Sequence, residues 1–202
     1  MRRLGWVASI AVPFVLFALA YSSLGFLHPQ HVHLHEYSVP GAFEEVGGHI
    51  LFGFLVALPF MDLNLLLLSG SFAILVDSDH LLGALNLPVA SRIDHSLLFI
   101  LASSAFVYAI CRWKKLDGRM TVKTVSLVPA AILSHLSYDV LASYGIFGGL
   151  GYAFPLFAPF SFTLVYFPGY SWIALEALGF CVTLAAAYAL RRSATGSVTT
   201  SA

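Results

Sequence analysis

The chain is expected to fold as an all-α, polytopic bundle in a membrane, and three observations carry that expectation. Hydrophobic residues make up 59% of its 202 residues and charged residues only 10%, against about 45–50% and about 25% in an ordinary soluble domain. Mean hydropathy is +0.86, and a chain this short has too little interior to hide so much apolar surface from water. The apolar residues gather in six blocks, and the charged residues between the blocks sort by sign. This composition excludes an intrinsically disordered chain, a nucleic-acid-binding protein and a secreted disulfide scaffold. Ten basic residues balance ten acidic ones, so no global charge points to a partner other than the lipid bilayer. Cys111 and Cys181 lie inside apolar stretches and read as membrane-packed thiols rather than a disulfide framework.

The six segments run over Leu4–Phe26, Val46–Phe60, Leu65–Leu82, Ser96–Arg112, Val125–Tyr144 and Trp172–Leu190. About 20 apolar residues are needed to cross a hydrocarbon core about 30 Å thick. The first, fifth and sixth meet that length. The second and third are short, and either cross a thinned bilayer or form a re-entrant hairpin turning at Met61-Asp62-Leu63-Asn64; both versions leave the rest of the topology unchanged. Basic residues of short loops stay in the cytoplasm. Arg2 and Arg3, then Arg112, Lys114, Lys115, Arg119 and Lys123, then Arg191 and Arg192 all fall on one face, which places both termini inside. The opening Met-Arg-Arg and Ala18-Leu19-Ala20 also resemble a cleavable signal peptide, but the apolar run continues through Phe26 and favours an uncleaved anchor. Residues 1–192 read as one membrane-embedded domain, and the Ser/Thr/Gly-rich residues 193–202 as a disordered tail. Gly145–Tyr170, broken by Gly and Pro and filled with Phe and Tyr, reads as an irregular aromatic loop at the membrane interface.

On this topology all eight histidines (28, 31, 33, 35, 49, 80, 95 and 135) lie on the extracytoplasmic side. So do Glu36, Glu44, Glu45, Asp77, Asp79, Asp94, Asp139 and Glu176, faced by a single base, Arg92. Retention of basic loops explains the cytoplasmic half and says little about acids. The clustering of acids with histidines therefore needs its own cause, and a bound divalent cation supplies one. Asp77-Ser78-Asp79-His80 ends an apolar run and brings carboxylate and imidazole to one helix mouth, donors that zinc and manganese accept. His135 and Asp139, four residues apart, share one helix face inside an apolar segment, where polar groups are costly and mark function. His49 follows Gly47-Gly48, and His95 follows Asp94, at the same expected depth.

Each of these residues also has a bland reading. A histidine at a helix start serves as a cap or interface residue, Asp94 before Ser96 as an N-cap, and His135 with Asp139 as a structural hydrogen bond. All would have to hold at once on the same side. The His28-to-Glu36 loop is either a metal collector or a solvated segment. Glu44 and Glu45 read as first-turn acids favoured by the helix dipole, and Glu176 faces either the pocket or a polar helix partner.

With those residues in place, the sequence resembles the YdjM-like family of inner-membrane metal-dependent hydrolases over most of Gly48–Pro159. Gly48-His49 is similar to the family's opening Gly-His segment, and Val76-Asp77-Ser78-Asp79-His80 to its Asp-x-Asp-His block. Asp94-His95-Ser96 is similar to its Thr-His-Ser block, and His135-Leu136-Ser137-Tyr138-Asp139 to its His-x-x-x-Asp helix, with Pro155 and Pro159 in the proline-rich stretch that follows. Two positions depart: Ala90 stands where the family has a His, and Asp94 replaces a Thr. The resemblance implies a hydrolase-like domain related to zinc-dependent phosphoesterases.

The expected function is a membrane-bound metal-dependent hydrolase with one or two divalent ions, zinc favoured over manganese, at an extracytoplasmic site. Its substrate would be a phosphoester or a lipid-linked molecule. The ligands would be His49, Asp77, His80, His95, His135 and Asp139. Asp79 would be a further ligand or the general base, Asp94 would orient His95, and Arg92 would hold a phosphate oxygen. Two other classes stay open: a metal transporter using the same residues as a transit site, and a non-catalytic membrane protein with a degenerate metal site.

Overall fold

The computed structural model describes residues 3–28, 39–78, 80, 82, 85, 87, 92–146 and 149–196. Among them are six long helices: α1 Arg3–Ser22, α2 Val39–Ala57, α3 Leu63–Leu75, α4 Leu97–Trp113, α5 Gly118–Leu141 and α6 Ser171–Gly196. Three runs, Leu4–Leu27, Gly118–Tyr144 and Ser171–Ser193, are long and apolar enough to cross a membrane, while Leu63–Ser78 and Leu97–Trp113 are shorter apolar helices.

Local chemistry explains where several helices begin. Asp62 caps α3 by accepting from the Asn64 amide at 2.9 Å, and Ser96 caps α4 through the Phe99 amide at 3.2 Å. Asp117 caps α5 through the Met120 amide at 2.8 Å. Each side chain satisfies an amide that the helix leaves without a partner. The Asp117 cap starts α5 seven residues ahead of the expected Val125, because helix-forming polar residues extend it beyond the apolar block. In the same way α2 starts at Val39 rather than Val46. Helix α6 runs to Gly196, so residues 193–196 of the expected tail are helical; 197–202 lie outside the described residues.

Helix α5 is the axis of the fold, packing on α2, α3, α4 and α6. In its apolar window 72% of the residues are buried, against 33% for α1 and 17% for α6. The principal core joins α1, α3 and α4 through Phe14, Phe72 and Phe99, with Phe14 and Phe72 ring centroids 4.5 Å apart. Helices α2 and α3 approach closely at Gly53 and Gly70: a Cβ added at Gly53 would lie 2.8 Å from Gly70 Cα and 2.9 Å from Ala73 Cβ.

The bundle is helical as expected, and the irregular loop expected over Gly145–Tyr170 is corrected in part. Within Gly145–Tyr170, β1 Gly151–Phe154 pairs antiparallel with β2 Val165–Pro168, Gly151 opposite Pro168 and Phe154 opposite Val165. Tyr-Ala-Phe and Val-Tyr-Phe are strand-favouring triplets, but two four-residue strands are too short to stand out among the surrounding glycines and prolines. The hairpin lies against the C-terminal end of α5, and this hairpin end of the bundle carries the site.

The close approach of α2 and α3 is testable with one substitution type at two positions. Gly53→Ala should destabilise the protein by roughly 1–3 kcal/mol through overpacking. Gly47→Ala should not, since nothing lies within 4 Å of its Cβ position. Thermal unfolding in detergent checks this, with a lowered midpoint for the first variant alone.

Candidate metal centre

Five side chains from four separate parts of the chain meet at the hairpin end. His49 comes from the middle of α2, Asp77 from the 3-10 turn Val76–Ser78 that closes α3, His95 from the turn Ile93–His95 before α4, and His135 and Asp139 from α5. The three histidines are fully buried, Asp139 is 7% exposed and Asp77 13%. His49 Nε2 lies 3.4 Å from Asp77 Oδ2 and 3.5 Å from Asp139 Oδ1. His135 Nε2 lies 3.4 Å from Asp77 Oδ1, 3.6 Å from Asp139 Oδ2 and 2.9 Å from His95 Nε2. His95 Nε2 lies 3.3 Å from Asp139 Oδ2 and 3.9 Å from Asp77 Oδ1.

These separations have a chemical meaning. Donor atoms about 2.0–2.2 Å from a tetrahedral zinc stand about 3.3–3.6 Å from one another, a range that holds five of these seven separations, the exceptions being 2.9 Å between His95 and His135 and 3.9 Å between His95 and Asp77. By distance alone two overlapping sets of donors lie close enough together to hold a cation, His49 with Asp77 and His135, and His95 with His135 and Asp139. The tautomer of His135 is also set. Its Nδ1 lies 2.8 Å from the Ala73 carbonyl oxygen, which can only accept, so Nδ1 carries the proton and Nε2 turns its lone pair into the cluster. Burial holds the His95 imidazole below its ordinary pKa, keeping it neutral and able to ligate.

The surrounding residues explain why short motifs were visible. Gly48 precedes His49 because the Tyr138 ring of α5 occupies the space a Cβ would take. Tyr138 then meets the His49 ring edge-on at 4.7 Å and donates its hydroxyl to the Glu44 carbonyl at 3.0 Å, fastening α2 to α5 beside His49. Arg92 has left-handed backbone, φ 64°. Its Nη1 donates to Asp139 Oδ2 at 2.7 Å, and its guanidinium lies 4.3 Å above the Tyr152 ring. Phe154, fully buried, stacks on His95 at 5.5 Å with planes 16° apart. Tyr152 and Phe154, two apart on β1, thus seat Arg92 and His95 from one strand.

Of the residues expected at the site, His49, Asp77, His95, His135 and Asp139 converge. His80 reaches its rim, 32% exposed, with Nε2 3.8 Å from Asp77 Oδ1. Asp79 and Ala90 lie outside the described residues. Two expectations are corrected. Asp94 does not orient the His95 ring: His95 Nδ1 has no hydrogen-bond partner, and Asp94 accepts from Ser22 Oγ of α1 instead. Glu45 is not a first-turn acid, because α2 starts six residues earlier; half-buried, it lies within electrostatic reach of Asp77, Asp139, His80 and Arg92. Tyr138 was not singled out as a site residue, since an aromatic residue in an apolar chain carries no mark of its neighbours, and Tyr152 and Phe154 were expected only as rings of the aromatic loop.

A pocket of about 540 Å³ opens beside the cluster, with Arg92 and Tyr152 in its wall and Ser143, Phe162, Leu164 and Tyr166 around it. Arg92 therefore touches both Asp139 and the open space. Asp77→Asn and His135→Ala should each abolish or weaken metal binding by at least tenfold, whereas Ser104→Ala, whose hydroxyl only bonds the Ile100 carbonyl of its own helix, should not. Metal content of the three purified proteins checks this. Compared with known proteins, the chain matches no family model, no curated protein and no solved structure.

Proposed function

We propose that this protein is a multi-pass membrane hydrolase, metal-dependent and acting on phosphoesters, with both termini cytoplasmic and the site on the extracytoplasmic face. The observation that carries the reading is the convergence of three buried imidazoles and two carboxylates at ligand spacing, with His135 Nε2 turned inward by the Ala73 carbonyl. Zinc suits this nitrogen and oxygen set best, and manganese is the alternative. A bound divalent cation supplies Lewis acidity and lowers the pKa of water toward about 7.

The chain's own residues supply the rest. Asp139 anchors Arg92 at the pocket wall, which sets a positive charge where an anionic oxygen would enter. Glu45, in electrostatic reach of the cluster, and Asp79 beside Asp77 in the sequence are the candidate bases. The resemblance to the YdjM-like hydrolases, carried by these same His and Asp positions, favours a phosphoester bond. A lipid-linked substrate is favoured by the rim. Leu164 and Tyr166 of the pocket wall are 61% and 54% exposed, and Phe157 and Phe160, in the connection between the two strands, 55% and 86%; this apolar surface suits an acyl or isoprenoid chain whose polar head enters beside Arg92. Phe154 does not belong to that rim, since it packs on His95.

A panel of short soluble and long-chain phosphoesters, offered to the detergent-purified protein with and without chelator, tests the reading. Turnover should be lost with chelator and restored by Zn²⁺ or Mn²⁺, and Arg92→Ala should lower kcat/KM by about 10–100-fold. Paired Phe157→Ser and Phe160→Ser should impair long-chain substrates while leaving metal content unchanged. No chelator-sensitive turnover of any phosphoester contradicts the activity, and equal loss on short and long substrates contradicts the lipid preference.

A further inference from the structure

The five donors are not arranged as one coordination sphere. An imidazole that ligates through Nε2 keeps the ion in its own ring plane, about 2.0–2.1 Å beyond that nitrogen. Two imidazoles on one ion at about 90–110° therefore hold their centroids roughly 4.5–5 Å apart. His95 and His135 meet this condition, with centroids 4.8 Å apart, planes inclined by 64° and Nε2 atoms 2.9 Å apart. His49 and His135 do not. Their rings are stacked, centroids 4.1 Å apart and planes only 15° from parallel. A single ion would have to lie in two separated parallel planes at once.

The carboxylates divide in the same way. The Asp77 oxygen nearest His49 is Oδ2, while Oδ1 is nearest His135 and His95. For Asp139 the oxygen nearest His49 is Oδ1, while Oδ2 is nearest His95 and His135. Each carboxylate thus turns one oxygen to His49 and the other to the His95/His135 pair. His49 is fully buried, and neither of its ring nitrogens has a hydrogen-bond partner, so its lone pair faces Asp77 Oδ2 and Asp139 Oδ1 with nothing else to satisfy it.

We propose that the cluster holds two divalent ions bridged by Asp77 and Asp139, one bound by His49 and the other by His95 and His135. The inference rests on the metal-centre reading above and deepens it. Carboxylate bridges suit ions about 3.5–4 Å apart, the separation at which a two-metal site clamps both reacting oxygens of a phosphoryl group. Two dications against two carboxylates leave the pair positive, so the ligand class it selects is a tetrahedral oxyanion that spans both ions, with Arg92 beside it on Asp139.

The test is stoichiometry and magnetic coupling in the full-length detergent-solubilised protein. After saturation with Mn²⁺ and gel filtration, elemental analysis should find two ions per chain, and low-temperature EPR should show an exchange-coupled pair. His49→Ala should retain one ion per chain and give the spectrum of isolated Mn²⁺. If that variant does not fold, the wild-type measurement still decides. One ion per chain, or two without coupling, overturns the bridged pair while leaving a metal centre in place. No bound metal overturns both this inference and the reading on which it rests.

Discussion

Taking a carboxylate out of water costs several kcal/mol even after the protein relaxes around it, unless a counter-charge and hydrogen bonds come with it. Here two carboxylates, Asp77 and Asp139, are buried together at one end of an apolar bundle. Only one fixed cation, Arg92, bonds either of them among the described residues, and it bonds Asp139. The three histidines around them are fully buried. The rest of the site follows from that constraint. A cation among these donors would remove the repulsion of the carboxylates, satisfy the unpartnered His49 Nε2 and account for two imidazole nitrogens 2.9 Å apart.

Holding this arrangement is the work of α5. It supplies two of the five donors, His135 and Asp139, four residues apart on one face. It also carries Tyr138, which occupies the space left by Gly48 and fixes α2 at the level of His49. Helix α3 contributes twice, through Asp77 at its end and through the Ala73 carbonyl that sets the His135 tautomer. The tight contact of α2 with α3 at Gly53 and Gly70 lies in the same helix pair, so packing in the bundle and ligand geometry are one mechanical unit. The hairpin closes the site from the other side, with Tyr152 under Arg92 and Phe154 on His95.

The sequence was informative where a residue is unusual for its surroundings. A histidine or aspartate within an apolar block stands out, and His49, Asp77, His95, His135 and Asp139 do assemble. Helix positions were legible for the same reason, while their starts were not: α5 begins at the Asp117 cap rather than at the apolar boundary, a choice made by one side-chain hydrogen bond. The hairpin was hidden because each strand has only four residues. Asp94 was misassigned because adjacency to His95 in sequence does not decide direction, and its carboxylate turns to Ser22 of α1, 72 positions away. Which rings of the aromatic loop seat Arg92 and His95 was not legible, since nine tyrosines and seventeen phenylalanines offer no way to tell which ones face the cluster.

The central claim is that the buried His and Asp side chains are metal ligands, and X-ray absorption at the metal edge of the purified protein tests it most directly. The account predicts a first shell of nitrogen and oxygen at about 2.0–2.2 Å with the outer-shell pattern of imidazole rings, and that pattern weakened in His135→Ala. A spectrum with sulfur in the first shell, or one without imidazole scattering and unchanged by that substitution, would contradict it.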